Sequence, residues 1–137
     1  MSWDLFVQDI PVAVHSIADM PAEYSPRPIP SRDEIIRIVR LVAPFADTSD
    51  PSWVRIDAPE ANIEISIGHE VPLMGFALHV RGGENSVGLI ADILDRLNLR
   101  AFDPGSNSGL FDIDTARRSL ERWRSYRDEV ISKANSG

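Results

Sequence analysis

The chain has 137 residues, 43% of them hydrophobic and 26% charged, values ordinary for one globular domain that buries a core without metal or disulfide support. It has no cysteine, which excludes thiol catalysis, thiolate-held zinc and disulfide scaffolds. A net charge of −7 argues against nucleic acid as a partner, and no apolar run approaches the roughly 20 residues that span a bilayer.

The opening Met-Ser-Trp-Asp has no basic flank ahead of an apolar stretch, so no signal peptide is expected and the protein is read as cytoplasmic. Residues 3–8 (Trp-Asp-Leu-Phe-Val-Gln) are rich in strand formers and predict a first strand. Prolines at 11, 21, 26, 28 and 30 then remove amide donors and push their predecessors to extended geometry. A short helical turn is expected near 12–18, and the rest is expected to wrap the body through Ile17, Met20 and Tyr24.

Ser31-Arg-Asp-Glu34 has the form of a capping box, with Ser31 accepting from an amide and Glu34 reaching back. The helix it opens should run to about Ala43, where Pro44 stops it, with Ile35, Ile38, Val39 and Val42 as its buried stripe. A turn over Asp47–Ser52 leads into a short strand from Trp53 to Asp57.

The clearest pattern follows. Ile63, Ile65 and Ile67 alternate with Asn62, Glu64 and Ser66, and Met74, Phe76, Leu78 and Val80 alternate with Gly75, Ala77 and His79. Period-two alternation means strands with one buried and one open face. Strands over about 61–67 and 73–81 are expected to form a hairpin across Gly68-His69-Glu70-Val71-Pro72. The expected register sets Ile65 opposite Phe76, Asn62 beside His79 and Glu64 beside Ala77, so that Glu64 and His79 are diagonal neighbours.

Asn85 or Ser86 should cap a helix to about Leu97, with Ile90, Ile93, Leu94 and Leu97 inward and Asn98 in the left-handed position that ends it. A strand over 99–102, a further strand at Leu110-Phe111 and a last helix over about 115–132 complete the order, with 134–137 as a frayed tail. The fold class expected is α+β, one domain over 1–137, with an antiparallel or mixed sheet of five to six strands and three helices packed mainly on one face.

The open face of this sheet carries the candidate site. Glu64, His79 and Arg81 fall together there, and Trp53 and Arg55 extend the same face with residue types typical of binding hot spots. Two chemistries suit that group. It can dock another protein, as an inhibitor or immunity-like module does. Alternatively the chain is a small hydrolase, or a small-ligand or anion binder, using Glu64 and His79 with Arg81 as anion clamp. A homodimer through this face or the edge of strand 99–102 is a third option.

The remaining motifs are bland. Arg81-Gly-Gly-Glu-Asn-Ser86 matches neither a phosphate loop nor a dinucleotide fingerprint. His15, His69 and His79 lack metal-ligand spacing, and no Gly-x-Ser-x-Gly is present, so no metal, cofactor or catalytic residue is assigned.

The phrase Met1-Ser-Trp-Asp-Leu-Phe-Val-Gln-Asp-Ile-Pro11, with His79-Val-Arg-Gly-Gly83 and the stretch from Ile93 to Asp103, resembles a group of small uncharacterised bacterial proteins that open in this way. The resemblance runs over most of the chain and implies no activity and no site residue. Its small acidic α+β character is similar to that of bacterial immunity proteins in size and charge alone.

Overall fold

The computed structural model describes residues 3–113 and Ala116. The chain forms β1 (Trp3–Gln8), a 3-10 turn (Ile17–Asp19), α1 (Arg32–Val42), β2 (Trp53–Ala58), β3 (Ala61–Ser66), β4 (Gly75–Gly82), α2 (Ser86–Leu97) and β5 (Arg100–Phe102). The strands make one sheet in the order β2-β3-β4-β1-β5, antiparallel at every junction. β4 and β5 therefore run parallel to each other on either side of β1, and α2 carries the chain from one to the other.

Alternation settles which way each strand faces. Leu5, Val7, Val54, Ile56, Ile63, Ile65, Leu78 and Val80 are fully buried, and they share one core with Ile35 and Val39 of α1 and Ile90 and Ile93 of α2. Both helices thus cover the same side of the sheet; among the described residues the other side is left open except near Phe102, which packs against Ile10, Val14 and Leu110. This is an α+β fold. Among the described residues its sheet has five strands, since Leu110 makes only an isolated bridge to Phe102 and forms no sixth strand. The described residues contain two α-helices, and the third expected helix, over 115–132, lies outside them apart from Ala116, which is buried in the core.

Local chemistry explains the helix ends. Ser31 Oγ accepts from the Glu34 amide at 3.3 Å, closing the first turn of α1. Glu34 does not reach back as the capping box predicts. Its carboxylate is held by Arg37 at 2.6 and 2.9 Å, because a charge-assisted pair one turn along outcompetes a neutral amide. Asn85 stands at the start of α2 without a side-chain cap bond, donating instead to Glu60 at 2.6 Å. Ser86 is buried, and its hydroxyl donates to the Gly82 carbonyl at 2.6 Å while accepting from the Asn62 amide at 3.3 Å. Asn98 ends α2 in the left-handed conformation, at φ 54°.

Two expectations are corrected. The hairpin register differs by two residues, with Ile65 opposite Leu78, Ile63 opposite Val80 and Ser66 opposite Ala77, and with an irregularity between Asn62 and Ile63. The connecting segment is drawn out of the ladder: the Ile67 amide bonds the Ser52 carbonyl, and the Leu73 carbonyl receives the Ile29 amide. A slip of two residues keeps every side chain on its own face, so alternation alone cannot detect it. The proline-rich segment does pack on the body, but through Ile10, Val14 and Ile29; Ile17 is 54% exposed. Met20 lies against the Ile10–Val14–Leu110 cluster, and the Tyr24 hydroxyl donates to both the backbone carbonyl and the carboxylate of Asp9.

Candidate functional site

On the open side of the sheet the register aligns side chains in rows. The middle row runs Arg55, Glu64, His79, Asp4 across β2, β3, β4 and β1, each residue directly opposite the next. The adjacent row runs Trp53, Ser66, Ala77, Phe6, Phe102 across all five strands. Large rings thus stand at both ends of a floor made of a serine and an alanine.

The rows are cross-tied. The Trp53 indole extends past small Ser66 and stacks on the His79 ring, with centroids 5.5 Å apart and planes inclined by 18°. His79 Nδ1 lies 2.8 Å from Asp4 Oδ1, an orientation that a carboxylate acceptor imposes on an imidazole. Arg81 Nη2 donates to Glu64 Oε2 at 3.1 Å. The His79 and Glu64 side chains keep 23% and 18% of their exposure, against 41% for Asp4 and 47% for Arg81. Both inner members are therefore held in place yet reachable from solvent. Arg55 lies exposed at the β2 end, where its backbone bridges Asp47. The Asp47 carboxyl is held below the usual carboxylate range, chiefly by hydrogen bonding to Ser49 with a lesser pull from Arg55.

All five residues singled out from the sequence, Trp53, Arg55, Glu64, His79 and Arg81, lie on this one face. Glu64 faces His79 directly, not Ala77 as the expected register had it. The closest carboxylate to His79 is Asp4, which sequence reasoning did not single out, and Phe6 and Phe102 were missed in the same way. The alternation of Asp4, Phe6 and Gln8 with Trp3, Leu5 and Val7 was the available signal, since it turns the first set outward. Nothing in it says that β1 lies beside β4.

A second concavity, of about 320 Å³, lies where the β3–β4 connection meets the start of α1. Arg32 Nη1 donates there to the Gly68 carbonyl at 3.2 Å and to His69 Nδ1 at 3.0 Å. Asp33 and Glu70 line the same hollow, so its charge is mixed and gives an anion no clear preference. Among the described residues no group of three or more His, Asp or Glu side chains converges as metal ligands would, and no helix is long and apolar enough to cross a membrane. No protein-family model matches the chain, and neither a curated protein nor a solved structure matches it.

Proposed function

We propose that the open sheet face is a protein-recognition surface and that the chain is a non-enzymatic binding module of the inhibitor or immunity-like kind. The observation that carries this reading is the Trp53–His79 stack, locked to Asp4 and joining the charged row to the aromatic one on the sheet face. Side chains already held in one arrangement lose little conformational freedom on binding, and that ordering is one of the costs of association. Tryptophan and arginine are the residues that most often dominate such contacts, and ordered charge supplies selectivity. The arrangement is a broad, shallow face, whereas catalysis by Glu64 and His79 calls for a recess that sheds water.

Site-specific photo-cross-linking in cells tests the reading. A photoreactive phenylalanine analogue at Phe6, 42% exposed on the face, should give a discrete protein adduct that Trp53→Ala diminishes. The same analogue at Leu41, 55% exposed on α1, should not. Equal labelling from both positions, or no adduct from Phe6 under any growth condition, refutes the proposal.

A further inference from the structure

We infer that the occupant of this face is a second copy of the chain, an inference that rests on the reading of the face as a docking surface. The argument comes from the order of charge. The middle row reads Arg55 positive, Glu64 negative, His79 basic, Asp4 negative. Such a row, reversed, is its own complement.

A closed homodimer places one surface against itself across a two-fold axis. Suppose two faces are stacked, with the axis between them, parallel to the strands and midway between β3 and β4. Arg55 of one copy then lies over Asp4 of the other, and Glu64 lies over His79, twice each by symmetry. An axis along the row would instead set every charge over its own like. Charge order therefore selects a single geometry. That geometry keeps the strands of the two sheets nearly aligned, as sheets stacked about 10 Å apart favour.

The aromatic row obeys the same operation. By register position Trp53 of one copy falls opposite Phe6 of the other, and Ser66 opposite Ala77, so the bulky ends and the small floor of the row are each matched. The charges also enter the contact already tied within their own sheet, His79 to Asp4 and Arg81 to Glu64, which reduces the desolvation cost of covering them. Area sets the strength. Strands about 4.8 Å apart and five or six residues long give a face on the order of 400 Å² per copy, about half that of a standard interface. Net charge of −7 on each copy opposes association further. The dimer is therefore weak.

Sedimentation of the full chain from about 10 µM to about 1 mM, near pH 6, should show a mass rising from 15.2 kDa toward twice that value. Arg55→Asp and Asp4→Arg should each be monomeric alone, since each sets like charges across the axis. Mixed in equal amounts they should associate again, because the new acid of one chain then meets the new base of the other at one contact, and native Asp4 meets native Arg55 at the second. Ala77→Arg, which raises bulk from the middle of the floor, serves as a second variant should Asp4→Arg fail to fold. A wild-type mass fixed at 15.2 kDa overturns the inference, as does association that survives Arg55→Asp or Ala77→Arg, or a mixture of folded variants that stays monomeric. The Phe6 cross-link separates the two claims: an adduct of some other mass keeps the docking surface and removes the second copy, while an adduct of twice the chain mass keeps both.

Discussion

A methyl group added at Gly83 and one added at Gly88 meet opposite fates. Gly83 has φ +94°, and a Cβ there would sit 2.4 Å from the Glu60 carbonyl oxygen and 2.6 Å from Ala61 Cα, backbone atoms that cannot step aside cheaply. Gly88 lies exposed within α2, where a Cβ meets nothing within 4 Å. Gly83→Ala is expected to destabilise by at least about 2 kcal/mol, from left-handed strain and overlap together. Gly88→Ala is expected to stabilise by about 0.5–1 kcal/mol, since it removes backbone freedom from the unfolded chain and improves helix propensity. Urea titration of both variants checks the pair, and equal signs would contradict the described turn. The sequence marks both glycines but not this difference. Only the approach of the β2–β3 turn to Gly83, bonded further by the Asn85 amide to the Glu60 carbonyl at 2.8 Å, tells them apart.

At the scale of elements, α1 depends on its first turn. Ser31→Ala leaves the Glu34 amide without its 3.3 Å acceptor and should cost about 1 kcal/mol, read as a lower urea midpoint with unchanged slope. The carboxyls of Glu34 and Asp50 are held below the usual range, the first by its hydrogen bonds to Arg37 and the second by hydrogen bonding to Ser52. For an acid whose folded pKa is depressed, the stabilisation is present above the unfolded pKa and is lost as pH falls through the folded one. Stability should therefore decline on acidification below the ordinary carboxylate range. Arg37→Ala should flatten the Glu34 share of that decline and leave the neutral-pH value nearly unchanged, because the pair is solvated. Tyr24 acts at the other end of the scale: desolvation, with its hydrogen bond to Asp9, raises its hydroxyl. Its contribution is full below the unfolded tyrosine value and is lost as pH rises through the folded one. The elements themselves were largely legible. Ser31, Pro44 and Asn98 punctuate the helices, and alternation marks the strands. Less legible were the competing choices, such as Glu34 turning to Arg37, where two satisfactory partners lay within one turn.

For the whole molecule, the sheet divides its residues into those that hold the fold and those that face outward. Ile65 is fully buried beneath the helices, so Ile65→Ala should cost about 2–5 kcal/mol and Ile65→Val about 0.5–1.5. Arg55, exposed on the opposite face of the neighbouring strand, should tolerate alanine within about 0.5 kcal/mol. Thermal unfolding of the three variants should show that graded order, and a large loss at Arg55 would mean that the open face serves stability. By itself the sequence determined the faces: period two assigns isoleucines inward and glutamate, histidine and arginine outward, because a strand's side chains have nowhere else to point. It did not determine adjacency. Backbone hydrogen bonds join any strand to any other with little regard for side-chain identity, and they permit slips of two residues at no cost to the pattern. Only the tertiary structure set β1 beside β4, so bringing Asp4 to His79 from 75 positions away, and only the observed register aligned Arg55, Glu64, His79 and Asp4 into one row.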